Sequence, residues 1–158
     1  MFREMRRFKQ ALTAEECKEV LKTSKRGVLS VHGDDGYPYG IPVNHFYDEE
    51  KGKIYFHCAV TGHKTDAIKR NDKVSFVTTN GGEKREGEWF LRFQSVVVFG
   101  RAKLVEDEKE IEKICSALCG KFGQGKDYEE SEWKKYGKNV SCVEITIEHM
   151  TGKNVKES

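Results

Sequence analysis

Apolar residues recur along this chain at two spacings. Helical spacing governs residues 12–24, LTAEECKEVLKTS, where Cys17, Val20 and Leu21 form one stripe. Thr13 and Glu16 stand ahead of that stripe at the S/T-x-x-E spacing of a capping box, with Leu12 and Cys17 at the flanking staple positions. Helical spacing returns at 107–122, DEKEIEKICSALCGKF. Asp107 is placed to cap with Glu110 at the third helical position, and Gly120 lies near the stop. Ile111, Ile114, Cys115, Leu118 and Phe122 make the buried stripe there. Residues 128–137, YEESEWKKYG, give a further short helix.

Strand-like runs fill the remainder. RGVLSVHG (26–33) is short and β-branched, and DDGY (34–37) carries the Asp-Gly signal of a hairpin turn. YPYGIPVNHFY (37–47) sets Tyr39, Ile41, Val43 and His45 on one face and Gly40, Pro42, Asn44 and Phe46 on the other. Its two prolines argue for an edge, a bulge or a bend. DEEKGK (48–53) turns into IYFHC (54–58), and KVSFVTT (73–79) is a fourth strand. After the polar loop NGGEKREGE (80–88), residues 89–106 read as one long strand with a bulge near Gly100 or as two short ones. In the closing run NVSCVEITIEHM (139–150), Val143, Ile145 and Ile147 alternate with Glu144, Thr146 and Glu148, the pattern of a half-exposed strand. This order predicts a mainly β (α+β) single domain over residues 1–158, with a largely antiparallel sheet. Closing the sheet into a small barrel would remove most of its edges. Neither a glycine-rich dinucleotide fingerprint nor a parallel βαβ series is present.

Composition narrows the function classes. The 158 residues are 37% hydrophobic and 34% charged, which predicts a thin core that a subunit interface would supplement. Twenty-eight basic against 26 acidic residues leave a net charge of +2, no footprint for nucleic acid. The basic start MFREMRRFKQ leads into no apolar run of signal-peptide length, and no stretch approaches a membrane span. Five cysteines without CxxC spacing suit free thiols in a reducing cytoplasm.

Candidate chemistry concentrates at HCAVTGHKTDAIKRN (57–71), where a strand hands over to a helix. A helix start presents unpaired amides and a partial positive charge, and a phosphate held there takes backbone N–H groups, a small hydroxyl and one cation. Thr61 offers the hydroxyl, Gly62 close backbone approach, Lys64 a mobile ammonium and His63 a further donor. The same residues read equally as a capped surface helix with a solvated lysine. A metal held by His57, Cys58 and His63 is disfavoured, because no second ligand pair has credible spacing and neighbours on a strand point to opposite faces. Cys58 reads instead as a small buried hydrophobe. In GIPVNHFY (40–47), Pro42 removes a ladder donor, freeing a bent strand to meet a flat heterocycle, with apolar contact from Val43 and Phe46 and an amide from Asn44; a bent strand with no ligand fits equally. In RFQSVVVFGR (92–101), Gln94, Ser95 and Arg101 either close a phosphate or ring-edge site or face solvent.

Together these stretches resemble the pyridoxamine 5′-phosphate oxidase-like flavin-binding split-barrel superfamily, nearest to its nitroimidazole-resistance (Nim-type) branch. RGVLSVHGDDGYPYGIPVNHFY, GKIYFHCAVTGHKTDAIKRN and FQSVVVFGRAKLVED carry the resemblance, in that order and spacing. It implies a six-stranded antiparallel split β-barrel with flanking helices, a homodimer, and FMN at the subunit interface, with FAD an alternative. On that model Pro42, Val43, Asn44 and His45 contact the flavin ring system. His57, Cys58 and Ala59 line the ring and ribityl chain, while Thr61, Gly62, His63 and Lys64 hold the phosphate. Ser95 and Gln94 approach from the second strand group. His57 is also the candidate at the redox centre. The ending EHMTGKNVKES lacks the arginine-rich set of the pyridoxamine phosphate oxidases themselves, so their substrate is not expected. The expectation is a cytoplasmic, flavin-dependent oxidoreductase that reduces small electron-poor substrates such as nitroimidazoles. A flavin-binding or haem-binding split barrel without turnover is the rival.

Overall fold

The computed structural model describes residues 1–156. α1 (Ala14–Thr23) starts at the expected capping box. The Glu16 N–H donates to the Thr13 hydroxyl at 3.2 Å, and the Thr13 N–H donates to the Glu16 carboxylate at 2.8 Å. Cys17, Val20 and Leu21 face the core. β1 (Arg26–His32) reaches β2 (Pro38–Asn44) through a 3₁₀ turn at Asp34–Gly36 rather than a tight two-residue hairpin; Asp35 and Gly36 take positive φ there, 55° and 77°. β3 (Phe46–Asp48), β4 (Lys53–Ala59), α2 (His63–Arg70), β5 (Lys73–Thr79) and the long β6 (Phe93–Val105) follow. α3 (Glu108–Lys121), capped by Asp107, α4 (Lys126–Tyr136) and β7 (Val140–Val155) complete the chain. Among the described residues no helix is long and apolar enough to cross a membrane.

All pairings are antiparallel, in the order β2-β1-β5-β6-β7-β4-β3. The two outer strands of this order are consecutive in the chain and are joined by His45 alone. The sheet therefore curls until its edges come together at one corner, and from there they part: a half-barrel with flanking helices. Seven strands form rather than six, because the run expected as a single strand over 37–47 breaks at His45. Its ring turns inward to 0% exposure, so β2 pairs with β1 while β3 pairs with β4. The prolines sit on β2, an edge, where a missing ladder donor costs nothing.

β6 is one strand, and the irregularity expected near Gly100 is present. Phe99 pairs with His149 and Gly100 with Ile147, so the extra residue, Glu148, belongs to β7. A Cβ at Gly100 would lie 2.3 Å from the Thr146 carbonyl oxygen, which excludes any larger residue at that crossing. β7 runs on past the expected end at 150. MTGKNV has little apolar alternation to announce a strand, yet its backbone stays paired to the start of β6.

Inside the curl, Leu21, Leu29, Ile54, Phe56, Phe76, Val96, Val98, Val143 and Ile145 are fully buried. Each such side chain stabilises the fold by about 1.5–3 kcal/mol. A second, smaller cluster lies between α3 and the outward face of β4 and β7: Tyr55, Val105, Ile111, Ile114, Leu118 and Cys142. Cys115 and Phe122, expected in the buried stripe of α3, are only half-buried at its margin. Glu144 departs from the half-exposed pattern of its strand at 4% exposure, and it accepts from Lys53 Nζ at 2.8 Å and Tyr55 Oη at 3.3 Å. Burial pushes that carboxyl up, but the hydrogen bond and charge of Lys53, with Lys103 behind it, outweigh burial and hold it below its ordinary value.

Candidate functional site

Alternation along β4 sorts its end residues. Phe56 and Cys58 turn into the core, while His57 and Ala59 face outward. The chain then leaves the sheet through exposed Val60, Thr61 and Gly62. Gly62 has φ 143°, a conformation that side chains resist, and the space around it is open. It is the N-cap of α2, and no side chain caps the helix. The Thr65 hydroxyl donates to the Gly62 carbonyl at 2.8 Å; the first-turn amides, as at any helix start, have no intrahelical acceptor. Lys64 Nζ lies 5.5 Å from the centre of the Phe56 ring. Among the described residues it has no carboxylate at ion-pair distance. Its charge is felt at His57, whose imidazole is held below its ordinary value first by burial and then by the Lys64 ammonium. Burial also pushes the Cys58 thiol up, with Lys64 opposing.

His63 stands differently. Its ring stacks on Tyr39 at 4.2 Å and 9°, and its Nε2 accepts the Asp34 N–H at 3.3 Å. The Asp34 carboxylate reaches Arg70 at 2.6 Å, and that hydrogen bond holds its carboxyl below the ordinary range. His63 thus ties the start of α2 to the β1–β2 turn.

Beside the β4 corner lies a cleft of about 780 Å³ between the sheet, α3 and α4. Asn44 and His57 line it from the sheet, with Val140 and Asn139 at the start of β7; Cys115, Leu118, Cys119 and Phe122 line it from α3, and Tyr128 and Trp133 from α4. The helical wall was not foreseen as part of a site. Its residues have the spacing of an ordinary buried stripe, and only the packing of α3 at the margin of the sheet exposes one side of it.

The other candidate residues divide. Pro42 and Asn44 are exposed on β2, and Asn44 Oδ1 accepts from Arg26 Nε at 3.1 Å. The side chains of Val43 and Cys58 are turned into the core, at 8% and 7% exposure, which leaves their backbones as the parts able to meet a ligand. His45 is a correction: it is a core residue. Its Nε2–H donates to the Leu21 carbonyl at 2.8 Å, its ring stands edge-on to Phe76, and its Nδ1 has no partner. Gln94 and Ser95 are not brought to the corner. His57 lies opposite Cys142, which pairs with Val105 at the far end of β6, so ten residues of strand, roughly 30 Å, separate that row from Ser95. Gln94 is engaged with Asn80, its N–H donating to Asn80 Oδ1 at 2.9 Å. Arg101 is held by Asp72 at 2.9 Å and Glu148 at 2.8 Å. Among the described residues no group of three His, Cys, Asp or Glu side chains is placed to hold a metal.

A family model described as pyridoxamine 5′-phosphate oxidase matches residues 13–154. The chain belongs to the pyridoxamine 5′-phosphate oxidase family. Solved structures share its fold. A 5-nitroimidazole antibiotic resistance protein of Bacteroides thetaiotaomicron, so described provisionally, is 19% identical over 90% of this chain and 85% of its own, with a TM-score of 0.74. An FAD-binding protein of Mesorhizobium loti is 24% identical over 92% and 97%, with a TM-score of 0.70. An FAD and haem binding protein of Mycobacterium smegmatis is 15% identical over 94% and 74%, with a TM-score of 0.73. A search of curated proteins finds no match. The family binds flavin, and the uncapped helix start with Thr61, Gly62 and Lys64 has the donor set that a flavin phosphate needs.

Proposed function

We propose that the protein is a flavin-dependent oxidoreductase that binds FMN, or FAD by the same phosphate, and reduces small electron-poor acceptors such as nitroimidazoles. One observation carries this reading. The open start of α2, with an ammonium that no carboxylate neutralises among the described residues, meets at a single residue, His57, a cleft lined by apolar side chains and by the carboxylates of Glu112, Glu129, Glu130 and Glu132. A phosphate would be held by the amides of His63 and Lys64, the Thr61 hydroxyl and the Lys64 ammonium, while Gly62 keeps the approach clear. The cleft beside it would give an acceptor apolar contact from Leu118, Phe122 and Trp133. Flavin, when bound, supplies the two-electron chemistry, and the protein supplies orientation and electrostatics. His57 is neutral near pH 7, since burial and Lys64 both disfavour its charged form, so it would orient an acceptor through an uncharged N–H. Solved relatives described as an FAD-binding protein and as a nitroimidazole resistance protein support the reading.

The position of Gln94 and Ser95 bears on assembly. Lying far along β6 from the β4 corner, they would reach a flavin held there only from a second protomer, the arrangement of a homodimer with shared interfacial sites. Five free thiols suit a reducing cytoplasm.

The test is reconstitution with FMN, followed by anaerobic addition of NAD(P)H and then a nitroimidazole. Bleaching of flavin absorbance and its return with the acceptor are expected. A flavin that binds but is never reduced would leave a binding protein, and a haem spectrum in the purified protein would replace the reading; among the described histidines only His57 lines the cleft to serve as an axial ligand. Light scattering showing a monomer at micromolar concentration would remove the shared site.

A further inference from the structure

Two thiols, one on the wall of the cleft and one buried behind it, have no part in the flavin reading. Cys115 on α3 and Cys142 on β7 lie 3.9 Å apart, sulfur to sulfur, and 27 residues apart in sequence. Both are free. Cys142 is fully buried in the small outer cluster and stands directly across the β4–β7 ladder from His57. Cys115 is half-buried and opens on the cleft. One sulfur is therefore reachable by a small solute, and its partner waits behind it. The remaining cysteines lack this arrangement. Cys17 and Cys58 are enclosed in the main core, and Cys119, one turn beyond Cys115, has no thiol against it across a packing seam.

We propose that Cys115 and Cys142 form a peroxide-responsive thiol pair that closes into a disulfide across the α3–β7 seam. The Cys115 thiolate attacks one oxygen of a hydroperoxide. The O–O bond breaks, an alcohol or water leaves, and Cys115 becomes a sulfenic acid. The Cys142 sulfur then attacks the Cys115 sulfur, the S–O bond breaks, and water leaves with the Cys142 proton. Two thiols have given up two electrons and the peroxide has taken them; an external dithiol returns the pair to its reduced form. The hydrogen bond between the two thiols holds Cys115 below its usual range and pushes Cys142 up, which favours the thiolate on the reachable member, whereas burial pushes Cys119 and Cys58 up. Bonding distance is about 2.05 Å, so the sulfurs must approach by about 1.9 Å from 3.9 Å. α3 rests on the sheet through a small cluster on one side and opens on the cleft on the other, so a modest shift of the helix would achieve this. The cross-link would fasten α3 to the strand beside His57, so the oxidation state of the pair would set the shape of the cleft.

Reduced, gel-filtered protein treated with stoichiometric hydrogen peroxide tests this by peptide mapping without reductant. A loss of two mass units, one cross-link joining Cys115 to Cys142, and reversal by dithiothreitol are expected. Cys119→Ser should keep the cross-link, and Cys115→Ser should lose it while Cys142 stays titratable in denaturant. The proposal is overturned if all five thiols still titrate in denaturant after peroxide, if the cross-link joins Cys115 to Cys119, or if Cys119 is oxidised while Cys115 and Cys142 remain free. The readout needs neither bound flavin nor turnover, so failure of the flavin reading would leave it intact.

Discussion

Two strand ends of this molecule carry the same pair of residue types and use them oppositely. At the split of the sheet, His45 is sealed in the core, and the Lys121 ammonium donates to the carbonyls of Ser24 and His45, both at 2.6 Å. At the end of β4, His57 faces the cleft, and Lys64 stands by an aromatic ring with no carboxylate partner among the described residues. Both imidazoles are held below their ordinary value, in each case by burial first and a lysine second. The difference lies in where the ammonium's hydrogen bonds go. Lys121 spends its donors on the carbonyl of His45 at the strand break and that of Ser24 at the end of α1, and desolvation lowers it to about 8. Lys64 keeps its donors for something not supplied by the fold. A histidine and a lysine side by side are thus structural where the chain must seal itself and candidate ligand groups where it stays open.

The largest effect should come from the sealed corner. His45→Ala removes a fully buried ring and leaves the Leu21 carbonyl unpaired, so it should cost about 3–4 kcal/mol of stability in urea unfolding. Flavin affinity per folded molecule should hold. If that variant folds with nearly full stability and loses flavin instead, the two corners have been assigned the wrong way round.

A pH profile of stability separates them next. His45 has a folded-state pKa of about 4 against 6.5 when unfolded. The unfolded chain therefore binds the proton more tightly, and the stability present above pH 6.5 falls as pH drops from 6.5 towards 4. The full difference is about 3 kcal/mol, at 1.36 kcal/mol per pH unit. Glu144, also depressed, adds its loss only below its own ordinary range near 4.5. His57, also depressed, contributes a loss in the same window, so urea unfolding of His45→Gln, whose amide can still donate to Leu21, should reduce the slope between 6.5 and 4.5 without abolishing it. An unchanged slope would mean that another group carries it.

This contrast also explains what could be read from residues alone. Thr13 with Glu16 and Asp107 with Glu110 were legible because each is a local rule, a cap; near Gly100 the glycine in a strand run signalled an irregularity, but that the extra residue is Glu148 of β7 depends on the partner strand. The strand break at His45 was not legible. Alternation through 37–47 is unbroken, and what interrupts it is an acceptor on α1, the Leu21 carbonyl, 24 residues away in sequence. Lys121 was hidden for the same reason, since both of its acceptors lie on other elements. The grouping of His57 with Thr61, Gly62 and Lys64 follows from their adjacency in sequence. The helical wall of the cleft depends on where α3 comes to rest against β4 and β7, which no local pattern encodes.

At the open corner, Lys64→Ala should weaken flavin binding by about 1.5–3 kcal/mol, roughly 10- to 150-fold, the scale of a charged hydrogen bond. Urea unfolding of the apoprotein should barely change. The same variant removes the second cause of the depressed His57 imidazole, so its proton NMR titration should move upward, towards the ordinary value, while burial keeps part of the shift. Intact flavin affinity would take the phosphate away from this helix start.

The smallest expected effect makes the sharpest comparison. His57→Ala truncates an outward side chain that has no hydrogen-bond partner among the described residues, so its effect on stability should stay within about 0.5 kcal/mol. That is the same substitution as His45→Ala, twelve positions along, with an expected cost several times lower. Any loss should instead appear in the reaction with the nitroimidazole, because a neutral imidazole at the mouth of the cleft can orient an acceptor without supporting the strand beneath it. If the two alanine variants unfold at the same urea concentration, His57 is holding the sheet together as His45 does. The open corner would then be a second seal rather than a place for a ligand.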